Sequence, residues 1–257
     1  MHHLLVYSGS VAQNAALANI PAIVDQVFPA QTSTNYLPPM NLKLLRLYAM
    51  ADAVSQVRLD SPLLRPIGPP QIQPVDDATE PSTYPPINKY DENALNWATN
   101  DPLGILCSRA GAGAAVCYAA CWVAPNVQTK ISGPTWPVRC TFASTTLTAS
   151  SWVPQNLTFD QSLPPGRYKI VGMSAVCPDL FAARLVMPNQ IMRPGVIAQD
   201  ASAQFDWEWF RRGEFGDFGE FESTAPPTVE LMGHTAGAET GFVWLDLQPM
   251  SGQTPRF

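Results

Sequence analysis

The feature that most constrains the fold is an internal repeat of 26 residues whose two copies lie 126 positions apart. The segment LPPGRYKIVGMSAVCPDLFAARLVMP at residues 163–188 aligns without a gap with LPPMNLKLLRLYAMADAVSQVRLDSP at residues 37–62. Eight positions are identical, whereas ordinary residue frequencies give roughly two by chance. The identical pairs that we take as structurally equivalent are Lys43 and Lys169, Arg58 and Arg184, and Pro62 and Pro188.

The same offset places the Ala-Gly-Ala triplet of residues 110–112 on the triplet of residues 236–238. Each triplet lies between two apolar runs, which is a hairpin pattern with glycine in the turn. One offset for both blocks predicts tandem duplication of a unit of about 125 residues, with the first unit at 1–127 and the second at 128–257. The alternative is two local β motifs that are similar because they share a composition.

The spacing of apolar runs and turn residues predicts an all-β fold. Short strands are separated by turn signals about every ten residues, which is typical of sandwiches and not of alternating strands and helices. The expected fold is two tandem jelly-roll-like β-sandwich units with few short helices. The main helical candidate is the run AQNAALANIPAIVDQVF at residues 12–28, which Pro21 interrupts.

Charge and motifs exclude several function classes. Only 14% of the 257 residues are charged, the net charge is −6, and the 15 Lys and Arg residues form no cluster, which argues against direct nucleic-acid binding. No apolar stretch reaches 18 residues, and residues 1–13 lack the pattern of a signal peptide. No phosphate loop, dinucleotide fingerprint or nucleophile elbow is present. The sequence therefore predicts no cofactor, no metal and no enzymatic activity.

The strongest candidate for a chemical site is the acidic and aromatic run FDWEWFRRGEFGDFGEFE at residues 205–222. Its aromatic residues can pack or contact a neighbouring molecule, they can stack on a sugar, or two of its carboxylates can act as acid and base. We favour packing or an interface, and a sugar site would use Trp207, Trp209 and Phe215. The interface candidates are Trp207, Trp209, Phe210, Phe215, Phe218 and Phe221.

Cysteines and repeat arginines are interpreted as structural. Cys117 and Cys121 are four apart on a predicted strand, so they share a face but are too far apart to bond. The five cysteines are therefore expected to be free, buried thiols. Arg58 and Arg184 each lie four residues before a proline at the end of a predicted strand. We expect both to bind loop carbonyls or a carboxylate.

A resemblance to a known family comes from the repeat, from GRYKIVGMSAV and LFAARLVMPNQIMRPG as core strands, and from the low charge. These features resemble the tandem jelly-roll major capsid proteins of icosahedral bacteriophages and their relatives. The resemblance implies a virion protein, made in the host cytoplasm, that assembles with itself as pseudo-hexagonal trimers and with other capsid proteins. It implies that loops 65–90 and 205–222 form tower or lateral contacts. It also implies that the genome is contacted through another protein or an inner membrane. The alternative function is a duplicated, lectin-like carbohydrate-binding module.

Overall fold

The computed structural model describes residues 1–13, 16–28, 32–51, 55–63, 72–73, 75–77, 87–90, 94–198, 210–234 and 237–250. These residues form β-strands and no α-helix, and no segment among them is a helix suited to crossing a membrane. The chain divides into two compact units. The N-terminal unit is Leu4–Val127, and the C-terminal unit is Gln128–Phe257 together with Met1–His3. The first three residues, assigned to the first unit from sequence, thus group with the second.

The N-terminal unit is a two-sheet sandwich. Its strands are β1 (His3–Val11), β2 (Ala18–Asn19), β3 (Asn35–Tyr36), β4 (Leu42–Ala51), β5 (Ser55–Asp60), β6 (Ile72–Gln73), β7 (Asp76–Asp77), β8 (Asn88–Lys89), β9 (Leu95–Trp97), β10 (Leu103–Arg109) and β11 (Ala115–Ala124). One sheet has the order β1-β11-β4-β7, with β8 and β9 also on β4, and the other has the order β2-β10-β5-β6, with β3 on β10.

The C-terminal unit repeats this arrangement. Its strands are β12 (Trp136–Leu147), β13 (Val153–Asn156), β14 (Thr158–Phe159), β15 (Arg167–Val176), β16 (Leu180–Val186), β17 (Gly195–Ile197), β18 (Gly219–Glu222), β19 (Thr228–Gly233) and β20 (Gly237–Pro249). The sheet orders are β14-β12-β20-β15-β18 and β13-β19-β16-β17. Both repeat segments are therefore adjacent strands, β4 with β5 and β15 with β16, that belong to different sheets.

Strand pairing in each unit follows the nested order of one long folded hairpin. In the C-terminal unit the first strand pairs with the last (β12 with β20), the second with the seventh (β13 with β19), the third with the sixth (β15 with β18) and the fourth with the fifth (β16 with β17). In the N-terminal unit the corresponding pairs are β1 with β11, β2 with β10, β4 with β9 and β5 with β6. Eight strands rolled in this way into two sheets make a jelly roll. The predicted all-β, jelly-roll-like fold is confirmed.

A β-bulge occurs at the same place in both copies of the repeat. Leu45 is the extra residue of β4 opposite β11, and Val171, 126 positions later, is the extra residue of β15 opposite β20. Both residues are fully buried. The carbonyl of each accepts a backbone hydrogen bond from a later loop, from Tyr90 N–H at 2.7 Å and from Gly213 N–H at 2.6 Å. A bulge leaves one residue outside the ladder, and both units use its free carbonyl to hold a crossing segment.

The single offset of 126 is wrong for the second half of each unit. Cys107 pairs with Val57 on β5, whereas Leu231 pairs with Ala183 on β16. Val57 and Ala183 are 126 apart, but Cys107 and Leu231 are 124 apart. The two-residue difference arises between β5 and β9, in residues 61–94, called the proline-rich excursion here, which correspond to residues 187–218 of the C-terminal unit. The Ala-Gly-Ala triplets of 110–112 and 236–238 are thus out of structural register by two positions, and residue 236 lies outside the described residues.

The helix predicted within residues 12–28 is also wrong. Of this segment the structure describes residues 12–13 and 16–28, which contain the short strand β2 and no helix. Ala18 and Asn19 pair with β10, and Ile20 N–H donates to the carbonyl of Ile105 at 2.9 Å. Pairing with a long central strand overrides the helical composition, since propensity is a weak influence compared with tertiary context.

Candidate functional site

Residues 210–218 of the acidic and aromatic run form a segment, called the strap here, on one sheet of the C-terminal unit, and residues 219–222 of the run form β18. The strap crosses β15 and β20 on the face opposite to the core, because Leu245 and Leu247 of β20 point inward while Asp246 between them points to the strap. Gly213 N–H binds the bulge carbonyl of Val171, and Phe218 N–H donates to the Ile170 carbonyl at 3.0 Å. The bulge thus fixes where the strap lies.

An ion pair with little exposure to solvent holds the strap to β20. Arg211 donates from Nε to Asp246 Oδ2 at 2.8 Å and from Nη2 to Oδ1 at 2.9 Å. The backbone N–H of Arg212 donates to the same Oδ2 at 2.7 Å. Asp246 is 1% exposed and Arg211 is 6% exposed. Gly172 lies beneath this pair, where a side chain would overlap the carboxylate and the strap backbone.

The turn of the strap depends on glycine at position 213. Gly213 has a φ of 80°, and an added Cβ would overlap the carbonyl oxygen of Ile131. We expect Gly213→Ala to lower the free energy of unfolding by about 2–3 kcal/mol, because it adds a backbone clash to the left-handed conformation. Gly113 is the matched control, with a φ of 73° and open space around it. Gly113→Ala should cost only about 1 kcal/mol. Urea denaturation followed by tryptophan fluorescence measures both, and equal losses would contradict the packing argument.

The aromatic rings of the strap are buried in their own unit. Phe210, Phe215 and Phe218 are at most 2% exposed. Phe215 contacts Phe210 edge-on with centroids 5.3 Å apart and lies 6.3 Å from Phe218. Phe221 on β18 is 3% exposed and stacks on Tyr168 at 5.8 Å. These four interface candidates therefore have packing roles and offer no exposed ring surface. Trp207 and Trp209 lie outside the described residues.

The first residues of the chain complete this cluster. The His2 ring packs against Phe215 at 4.6 Å and Phe218 at 4.7 Å between centroids. Its Nε2 accepts a hydrogen bond from Gly195 N–H at 3.1 Å. His3 Nδ1 accepts one from Arg193 N–H at 3.0 Å, and both histidines are fully buried. The two histidines thus bind backbone N–H groups, and the described residues include no group of three or more His, Cys, Asp or Glu that could hold a metal ion.

Three carboxylates in the described part of the run, those of Glu214, Asp217 and Glu220, are engaged by neighbouring groups. Glu214 pairs with Lys130, and Asp217 Oδ1 accepts from Gly219 N–H at 2.7 Å. Glu220 binds Arg167 at 2.7 Å and Lys169 Nζ at 3.4 Å. In the described part of the run, these carboxylates thus serve ion pairs and a turn. The arrangement fits a structural segment better than an acid and base pair.

The repeat-equivalent arginines have different environments. Arg184 on β16 is 1% exposed, and its Nε donates to Glu230 Oε2 at 2.6 Å. Arg193 binds the other oxygen of Glu230, and the Arg184 guanidinium lies 4.1 Å from the Trp152 ring centroid. Arg58 on β5 is half-buried, and its Nε has no hydrogen-bond partner in the described structure. Of the two expected kinds of partner, loop carbonyls or a carboxylate, Arg184 has a carboxylate, and the described residues supply none to Arg58 Nε.

The other repeat-equivalent residues have matching positions in the two units. Lys43 lies opposite Asn96 of β9 and donates to its Oδ1 at 2.6 Å, and Lys169 lies opposite Glu220 of β18. Lys43 thus links β4 to β9 by a hydrogen bond, and Lys169 links β15 to β18 by an ion pair. Pro62 and Pro188 both lie in turns, two residues after the ends of β5 and β16.

The cysteines are buried thiols. All five are free and buried, as predicted. The Cys107 thiol donates to the Ser108 carbonyl at 3.7 Å, and the Cys117 thiol donates to the Tyr118 carbonyl at 4.0 Å.

Comparisons with known proteins add little to this description. No family model and no curated protein matches the sequence. A solved structure described as "Crystal Structure of the STIV MCP" aligns with 96% of this chain and 99% of that chain, at 11% sequence identity and a TM-score of 0.25. This likeness to a capsid protein is weak, so the jelly-roll topology of the present chain rests on its own strand pairing.

Proposed function

We propose that the chain is a structural protein without enzymatic activity that assembles with copies of itself into a viral capsid shell. In this proposal it forms pseudo-hexagonal trimers and contacts other capsid proteins in the virion of a bacteriophage-like virus, after synthesis in the host cytoplasm. The genome is reached through another protein or through a membrane beneath the shell, because the net charge of −6 and the scattered basic residues suit no direct contact.

The observation that carries the proposal is the presence of two equivalent jelly rolls in one chain. Both units have the same nested strand pairing, and both place a buried bulge at matching residues, Leu45 and Val171. Three such chains supply six similar units around one axis, which is the symmetry that a hexagonal packing requires. Jelly rolls occur in viral capsids and in lectins, so the step from fold to function is an analogy that needs a direct test.

The environment of the strap favours assembly over the carbohydrate-binding alternative. A sugar site on this segment would use Phe215 as a stacking ring, but that ring is 2% exposed and contacts His2 and Phe210. The nearby carboxylates of Glu214 and Glu220 form ion pairs. A stacking platform needs an exposed ring face, which this part of the strap does not provide.

The first test is the mass of the native particle, measured by light scattering together with negative-stain imaging. We expect trimers or closed shells well above the 28.0 kDa of one chain. A monomer at all concentrations would overturn the proposal, and a glycan array would then test the lectin function.

An exposed apolar side chain provides a second test. Ile191 is 75% exposed in the loop between β16 and β17, and an aliphatic residue at this exposure is a candidate contact between copies. We expect Ile191→Asp to raise the concentration needed for assembly by about tenfold, equivalent to about 1.4 kcal/mol. Gln161→Glu, which adds the same charge at another exposed position, is the control and should leave assembly unchanged. Equal effects of the two variants would exclude Ile191 as a specific contact.

A further inference from the structure

Two buried histidines attach residues 1–3 to the C-terminal unit. His2 and His3 are 0% exposed and group with this unit. The His2 ring packs against the rings of Phe215 and Phe218 of the strap. Each histidine also has a hydrogen bond to the backbone of residues 193–195, the segment that runs into β17. The attachment therefore depends on what the two imidazole rings can accept.

Both rings accept a hydrogen bond from a backbone N–H group. The Gly195 N–H donates to His2 Nε2 at 3.1 Å, and the Arg193 N–H donates to His3 Nδ1 at 3.0 Å. A ring nitrogen that accepts carries no proton, so these contacts require both imidazoles to be neutral. Protonation of either nitrogen would turn the contact into two N–H groups face to face and would place a charge in a buried position.

Charged groups approach this attachment from its own segment and from the neighbouring elements. Asp217 of the strap and Lys169 of β15 interact with the Met1 amino group, and the Arg193 guanidinium pairs with Glu230 of β19. Burial lowers the pKa of the Met1 amino group, Asp217 acts in the opposite direction, and Lys169 lowers it further. The surroundings of residues 1–3 thus disfavour an added positive charge.

We propose that His2 and His3 form an acid-sensitive attachment, which holds residues 1–3 on the C-terminal unit at neutral pH and releases them when the rings take up protons. Release removes the His2 ring from Phe215 and Phe218, and it removes the acceptors of two backbone N–H groups. Because both phenylalanines belong to the strap, the strap loses packing contacts at the same time. The attachment is thus a pH-dependent link between residues 1–3 and the strap.

The direction of the pH effect follows from proton binding in the two states. The attached state contains neutral rings, whereas a free imidazole takes up a proton below about pH 6.5. The released state therefore binds more protons, so the attachment is fully stabilising above about pH 6.5 and weakens as the pH falls below it. Each ring lowers the attachment constant by up to about tenfold for each pH unit below this value.

The two rings are expected to contribute unequally. The Gly195 carbonyl lies 3.3 Å from His2 Nε2, so a protonated Nε2 can donate to it after the N–H contact is lost. Protonation of His3 Nδ1 opposes it directly to the Arg193 N–H. We therefore expect His3 to be responsible for the larger part of the pH dependence.

The test compares the full-length chain with a double variant, His2→Gln and His3→Asn, by urea denaturation at about pH 5.5 and about pH 7.5, on either side of the ordinary imidazole value. Gln places an acceptor oxygen near the position of Nε2 and Asn places one near that of Nδ1, but neither side chain titrates. On acidification, the unfolding equilibrium constant of the unaltered chain should rise by about 10- to 100-fold more than that of the double variant, tenfold for each ring that must stay neutral. His3→Asn alone should remove more of this dependence than His2→Gln alone.

His234→Gln is the control, because it removes the third histidine of the chain and leaves the attachment intact. It should keep the pH dependence of the unaltered chain. The readout is the change with pH, so a general loss of stability caused by repacking does not imitate it. Equal pH dependence of the unaltered chain and the double variant would overturn the proposal, as would an equally large loss of dependence in His234→Gln.

Hydrogen exchange on the unaltered chain decides the proposal if the double variant fails to fold. After correction for the intrinsic exchange rate, the Arg193 and Gly195 amides should lose more protection on acidification than the amides of β20. Unchanged protection of these two amides would overturn the proposal. Since both experiments concern contacts within one chain, their outcome is independent of capsid assembly.

Discussion

Asp246→Asn is expected to lower the free energy of unfolding of the C-terminal unit by about 3–5 kcal/mol. The asparagine keeps the shape of the side chain but removes the charge that balances Arg211, which is only 6% exposed. An unpaired guanidinium in this position is costly because water cannot replace the lost carboxylate. The amide also turns one of two acceptor oxygens into a donor that faces the Arg211 or Arg212 N–H groups.

The size of this effect follows from the number of contacts that the carboxylate makes. Asp246 accepts two hydrogen bonds from Arg211 and one from the Arg212 backbone, at 2.7–2.9 Å. It is therefore the main polar attachment of the strap to β20. A loss of 3–5 kcal/mol corresponds to a fall in melting temperature of about 10 °C or more for a unit of this size.

The matched control is Asp160→Asn. Asp160 pairs with Arg139, but the side chains of this pair are 26% and 47% exposed, so solvent can replace the lost contact. We expect this variant to cost less than about 1 kcal/mol. Calorimetry and urea denaturation measure both variants. If Asp246→Asn cost no more than Asp160→Asn, the strap would not be held by the buried pair.

The strands and their class could be predicted from sequence because they depend on local pattern. The repeat segment correctly identified β4 with β5 and β15 with β16 as equivalent strand pairs, since apolar periodicity and turn residues are local signals. The bulges at Leu45 and Val171 were not predicted. A bulge is defined by the partner strand, and no residue type announces it at either position.

Contacts between strands could not be predicted because they depend on the lengths of intervening segments. The proline-rich excursion differs by two residues between the units, so β9, β10 and β11 align with β18, β19 and β20 at an offset of 124. At this offset Leu106, which lies opposite Arg58, and Glu230, which lies opposite Arg184, occupy equivalent positions. An offset of 126 aligns Leu106 with Met232 instead, so the sequence alignment does not show that the two arginines face different residues.

The role of the aromatic run at residues 205–222 could not be predicted from sequence for a different reason. Its composition suits a sugar site, an interface or a packed segment equally well, because all three use rings next to carboxylates. What decides between them is the backbone path, which Gly172 and Gly213 permit by leaving room for the strap. The burial of Phe210, Phe215 and Phe218 follows from that path.

Arg184→Met and Arg58→Met form the second comparison, in which the arginine at the equivalent position of the N-terminal unit is the control. We expect Arg184→Met to cost about 3 kcal/mol, because it leaves the Glu230 carboxylate, 8% exposed, with one of its two arginine partners. Arg58→Met should stay within about 1 kcal/mol, since Arg58 is half-buried and contacts no carboxylate among the described residues. Methionine keeps the apolar stem, so the difference reports the ion pair.

A double-mutant cycle with Glu230→Gln separates the ion pair from packing on Trp152. If the ion pair dominates, Arg184→Met and Glu230→Gln together should cost about 1–3 kcal/mol less than the sum of the single changes. Additive losses would instead assign the effect to the cation–π contact of Arg184 with Trp152. Equal losses for Arg184→Met and Arg58→Met would contradict the argument, because the two arginines would then contribute equally although Arg184 lies opposite Glu230 and Arg58 lies opposite Leu106.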